Sequence, residues 1–120
     1  MIARQLYAQG DILLERVGDI DPAARERDAV VPDPDGAVVV ARGEVTGHRH
    51  AFHRGAALYR DEALAGDIPA DLYVGHVRIE AETADLVHEE HATITLPKGT
   101  YRIRRQREFD PRTAPRVVQD

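Results

Sequence analysis

Apolar and polar positions alternate along much of the chain, in short runs broken by glycine, proline and acidic residues. Residues 2–7 alternate weakly and stop at Gln9-Gly10. Residues 11–17 carry Ile12, Leu13, Leu14 and Val17, the mark of a buried strand. Residues 37–41 form a continuous apolar run around Val38-Val39-Val40 and predict a central strand. Extended chain continues through residues 43–60, broken at Gly43, Gly47 and Gly55. From 72 to 80 the period is two, with Leu72, Val74, His76, Arg78 and Glu80 on one face and Tyr73, Gly75, Val77 and Ile79 on the other. Short strands are predicted at 85–88 and 92–96, a turn at Pro97-Lys98-Gly99, and a long last strand over 100–109.

Between these runs lie two loops. Residues 18–36 hold Gly18, Pro22, Pro32, Pro34, Gly36 and six acids, the composition of a surface loop, with one helical turn predicted over 22–27 where Pro22 can open it. Residues 61–71 read as a second loop with one helical turn at most. No segment sustains an apolar period of 3.6, which excludes a helical bundle. Some seven or eight strands with turns every ~8–12 residues predict an all-β fold, a small barrel or sandwich. At 120 residues the chain fits one domain, assigned to residues 1–109, with 110–120 as a proline-containing tail that lies on the surface or reaches a partner.

Composition narrows the chemistry. Cysteine and serine are absent, which removes disulfides, thiolate metal sites, cysteine nucleophiles and any Ser-His-Asp triad. Tryptophan is absent and aromatics are 5%, too few for a base-stacking platform. The formal charge is −5, which opposes binding to nucleic acid and anionic membrane unless the cations are segregated. They are partly so: residues 98–107 carry Lys98, Arg102, Arg104, Arg105 and Arg107 and no acid, whereas 11–35 carry eight acids and three arginines. A nucleic-acid module built on this last strand is one reading, weakened because Arg102 and Arg104 alternate with Arg105 and Arg107 across its two faces. Pairing of the basic strand with the acidic 19–35 loop of a second copy, in a homo-oligomer, is another. No apolar stretch is long enough to span a membrane, and the first residues show no secretion signal, so a cytoplasmic protein is expected.

Histidine is the residue that points to chemistry. Five of the six fall in two windows, His48, His50 and His53, then His88 and His91. Residues two apart on a strand share a face, so His48 and His50 can aim two imidazoles at one ion. His53, three further on, joins only through a bulge or turn. His88 and His91 flank Glu89-Glu90 and converge across a hairpin tip or along one helical turn. The site read from this spacing has His48, His50 and one or both of His88 and His91 around a divalent transition metal; imidazole suits Zn, Fe, Ni or Cu better than Mg or Ca. Three ligands leave a position open for water or substrate and four close the site. With a position open, Glu89 or Glu90 is the candidate general base, Tyr101 and Arg102 the groups that orient a small anionic molecule, and Arg104 a further binding residue. His76, alone on its strand, reads as structural. The competing reading is a solvated histidine loop on a metal-free interaction or oligomerisation module.

The arrangement of Gly43, His48-Arg49-His50 and Pro97-Lys98-Gly99-Thr100-Tyr101 before a long strand resembles the cupin superfamily of small β-barrels. The likeness covers residues 43–106 and implies a barrel with an inward-facing metal or small-molecule pocket. Four residues rather than five separate Gly43 from His48. The carboxylate position of the first cupin motif falls on Arg54 or Gly55, and the histidine and asparagine positions of the second fall on Arg102 and Gln106. Residues 43–50, 96–102 and 105–111 are also similar to a group of short bacterial proteins without assigned function.

Overall fold

The protein is described by a computed structural model, which places residues 5–18, 28–43, 47–106 and 118–119. It is a small all-β domain. The strands are β1 (Leu6–Gln9), β2 (Ile12–Val17), β3 (Val38–Arg42), β4 (Arg49–Phe52), β5 (Ala56–Tyr59), β6 (Tyr73–Val87), β7 (Ile94–Arg105) and β8 (Val118–Gln119). They hydrogen-bond in the order β3-β4-β6-β7-β2-β1-β8, with β5 beside the first half of β6. All pairs are antiparallel except β1 with β8. Among the described residues no helix is long and apolar enough to cross a membrane. The helical turn expected over 22–27 and the end of the last strand beyond Gln106 lie outside the described residues.

β6 and β7 carry the fold as one long hairpin, where the sequence pattern predicts four separate strands. Residues 72–80 and 85–88 belong to a single strand, and Pro97-Lys98-Gly99, expected as a turn, lies inside β7. The reason is a bulge. Ile79 pairs with Gly99 and Thr83 with Pro97, so β6 advances four residues while β7 advances two. The amides of Glu80 and Ala81 turn aside to the Gly55 carbonyl, at 2.8 and 3.4 Å. A proline can sit in the facing strand because the ladder is interrupted there. Beyond the bulge β6 exchanges neighbours, from β5 at Ile79 to β4 at Leu86. Turn-forming residues in the sequence thus mark a bend in a hairpin rather than its end.

The bend lets strands from both halves enclose one core. Ile12 and Leu14 of β2, Val38 and Val40 of β3, Phe52, Leu58, Val77, Leu86, Leu96, Tyr101 and Ile103 are all buried in it. β3 was expected at the centre of the sheet and is instead at the end of the strand order. Its apolar run reflects a register shift between Val39 and Ala41, which buries Val40 and Ala41 in succession. A second, smaller cluster of Ala65, Ile68 and Tyr73 forms under the 60–72 loop on the outer face of β6 and β7. That loop contains a 3-10 turn (Glu62–Leu64) capped by the Asp61 carboxylate, which accepts from the Ala63 amide at 3.0 Å. His76 is fully buried beside this cluster, its Nδ1 2.7 Å from the Tyr73 hydroxyl.

Candidate functional site

Alternation places Tyr7 and Gln9 of β1 and His50 and Phe52 of β4 toward the interior. Gln9 and His50 sit at one end of the core, below the β6–β7 connection that carries His88 to His91. Gln9 is fully buried, and its amide donates to the carbonyls of Leu86 (2.8 Å) and Ala92 (2.9 Å), anchoring both sides of that connection. With the amide nitrogen so committed, Gln9 Oε1 is the acceptor that faces His50 Nδ1 at 2.8 Å. His50 therefore carries its proton on Nδ1 and leaves the Nε2 lone pair unprotonated. Burial first, then the neighbouring His88, hold its pKa down, to about 4, so the ring is neutral at pH 7.

Four imidazoles meet here. Ring centroids lie 4.4 Å apart for His50 and His88, 4.6 Å for His88 and His91, 5.5 Å for His48 and His88, and 6.1 Å for His50 and His91. The β6–β7 connection is neither a two-residue hairpin nor a helical turn. His88 Nδ1 accepts from the amides of Glu90 (3.0 Å) and His91 (3.2 Å), and this side-chain bond folds the loop. The Glu89 carboxylate accepts from the Arg49 amide at 2.9 Å, joining the loop to β4, and that bond lowers its pKa. Glu90 Oε1 stands 3.6 Å from His48 Nδ1, on the same side of the ring as Gln9 on His50. Gly10 makes room for His91, since a Cβ there would come within 2.6 Å of His91 Nε2.

The other expected site residues fall elsewhere. His53 is exposed on the bend after β4 and makes no ring contact with this cluster among the described residues. Tyr101 is fully buried in the core, edge-on to Tyr7, and its hydroxyl donates to the Pro97 carbonyl at 2.7 Å. Burial pushes its pKa up to about 12, which does not suit a proton carrier. Tyr101→Phe should cost about 1 kcal/mol of stability by losing that one bond, read from a urea midpoint, and leave the histidine cluster unchanged. Arg102 and Arg104 alternate with the core residues Tyr101 and Ile103, so they project from the outer face, away from the interior that His50 faces.

Three contributors escape a reading by residue type. Gln9 has the signal only of a polar residue at an inward position. Gly10 turns the chain between β1 and β2. Asp11 Oδ1 lies 3.7 Å from His50 Nε2 and supplies a carboxylate to the cluster, while its Oδ2 pairs with Arg105 at 3.1 Å. Among the described residues, no three His, Asp or Glu side chains are arranged to hold a metal ion as they stand. Residues 8–106 match the family model of a domain of unknown function (DUF8820), a span that contains the whole cluster. No curated protein and no solved structure matches the chain.

Proposed function

The chain belongs to the DUF8820 family, and we propose that this member is a transition-metal-binding β domain whose ion sits among His48, His50 and His91, with Asp11 beside them. The observation that carries the proposal is the state of His50. A buried imidazole with Nδ1 held by a fixed acceptor and Nε2 left as a lone pair has the outer-sphere arrangement of metal-ligating histidines. The exposed Glu90 carboxylate faces His48 Nδ1 more loosely, at 3.6 Å. A ligand nitrogen ~2.0–2.1 Å from an ion puts its ring centroid ~3 Å away, so two tetrahedral ligands hold their centroids ~5 Å apart. Of the proposed ligands, His50 and His91 hold their centroids 6.1 Å apart, about 1 Å wider than that value, so binding requires the side chains to close on the ion. His88 is the least suited of the four, because its Nδ1 accepts two backbone amides and its proton therefore sits on Nε2. A site of three histidines and one carboxylate suits Zn, Fe, Ni or Cu.

Metal analysis of untagged protein tests this reading. Stoichiometric metal is expected in the wild type and none in His50→Ala. Gln9→Met, which keeps the ligands but removes the acceptor at Nδ1, should weaken affinity by roughly 10–100-fold. A wild type that purifies without metal and whose melting temperature ignores added Zn, Ni or Cu ends the proposal. The His88 turn favours one alternative, a metal-free interaction or oligomerisation module whose histidines cap the open end of the core. The same titration decides between them.

A further inference from the structure

On the opposite face of the sheet, β1, β2 and β7 and the 60–72 loop border a cavity of about 310 Å³. This is near the lower end of the ~300–1,000 Å³ usual for small-molecule sites. Leu6, Leu13 and Ile68 form its apolar wall, and Leu13 and Ile68 are otherwise buried. The charged lining is Glu15, Asp67, Arg102 and Arg104.

These charges sum to zero but do not pair off one to one, because both carboxylates stand against Arg102. Arg102 Nη2 is paired with Glu15 at 2.6 Å, both side chains largely covered. Its Nη1 donates to the Ala65 carbonyl at 3.2 Å and stands 3.5 Å from Asp67, whose side chain is 90% exposed and belongs to the rim. Arg104 has no carboxylate partner among the described residues. Its hydrogen bond there is a long one, 3.5 Å from Nε to the Arg105 carbonyl, which leaves the terminal amino groups of the guanidinium to the cavity. An acceptor in the cavity can pair with those amino groups.

We propose that this cavity binds a small monocarboxylate with a short apolar tail, its carboxylate on Arg104 and its tail on Leu6, Leu13 and Ile68. One unmatched guanidinium calls for one negative charge. The partly buried Glu15 carboxylate opposes a dianion such as phosphate, and the apolar wall needs a hydrocarbon partner. The site is separate from the histidine cluster and stands or falls without it.

Hexanoate is the probe, titrated into the full chain while the methyl resonances of Leu13 and Ile68 are followed by NMR. Saturable shifts are expected, with a dissociation constant on the order of 1 mM for so small a ligand. Arg104→Gln should weaken binding at least tenfold, and Arg104→Lys, which keeps the charge, should retain part of it. Hexan-1-ol and inorganic phosphate should bind much more weakly than hexanoate. No methyl shift in the wild type overturns the proposal. So do equal binding by Arg104→Gln, by hexan-1-ol or by phosphate, since each removes the carboxylate or the tail from recognition. The unperturbed methyl spectrum of each variant before titration establishes that it is folded.

Discussion

Gly75→Ala should destabilise the domain by about 3 kcal/mol, the largest loss we expect from adding a single methyl group. Gly75 is buried in β6 at φ +156°, a backbone conformation that side-chain-bearing residues rarely adopt. A Cβ there would meet the Tyr59 carbonyl oxygen at 2.7 Å and Leu58 Cδ1 at 3.3 Å. The backbone oxygen cannot easily withdraw. β5 is held against β6 by its own ladder, and on its other side by Val30 to Leu58 and Arg60 to Asp28, both at 2.8 Å. The Arg60 guanidinium also donates to the carbonyls of Tyr73 and Val74, at 2.9 Å each, fixing the chain just before the glycine. For a domain of this size the loss corresponds to a fall in melting temperature of roughly 10–15 °C. Gly36→Ala is the control, since Gly36 also has positive φ but nothing within 4 Å of a built Cβ. It should lose only about 1 kcal/mol, the conformational share. Equal losses in the two variants would show that the close approach to Tyr59 is not what Gly75 serves.

The same glycine shows why the fold was legible and its joints were not. Alternation in residues 72–80 identifies a strand, and the apolar runs at 11–17 and 37–41 identify two more, because period two and burial are written into residue type. Bulges are not. The register shift between Tyr73 and Gly75 puts Tyr73 and His76, three residues apart, on the outer face beside Ala65 and Ile68, where strict alternation would place Tyr73 with Val77 in the main core. The shift after Ile79 joins what look like two strands into one, and disguises Pro97-Lys98-Gly99 as a turn. The second shift is held by the Gly55 carbonyl, from a distant segment, and no local pattern carries that information.

The histidine site divides in the same way. The clustering of His48, His50, His88 and His91 could be read from spacing and a guess at the loop. Their rings do converge, and the structure separates them from Tyr101, Arg102 and Arg104, the residues expected to orient and bind a small anionic molecule at the same site. What sets the tautomer of His50 is Gln9, forty-one residues away, a residue type with no metal chemistry of its own. The convergence of β1, β4 and the β6–β7 connection at one end of the core is a property of topology.

Acid should destabilise the metal-free protein over two successive pH windows, and His76 makes the first of them measurable. His76 is fully buried between Tyr73 and the cross-strand Arg102, and burial and then that guanidinium lower its pKa from the ordinary 6.5 to about 4. Unfolded chains take up the proton near pH 6.5 while the folded protein refuses it until about pH 4. In that window the unfolded state binds more protons, so stability falls as pH falls. The contribution is intact above pH 6.5, is lost progressively down to about 4, and levels off below. A shift of this size is worth roughly 3 kcal/mol. His50, also lowered to about 4, adds in the same direction and over the same window. The carboxylates act later. Hydrogen bonding to Arg49 holds Asp35 at about 2, so its contribution is present above the ordinary 3.8 and disappears only as pH drops toward 2. Urea midpoints measured from pH 7.5 to 3 should therefore decline first across the histidine window and again below it. His76→Leu starts lower, because Tyr73 loses its partner, but it should decline across the first window by about 3 kcal/mol less than the wild type. Parallel curves for the two proteins would mean that His76 is not kept neutral by the fold, and would remove the physical case for its burial as an uncharged ring.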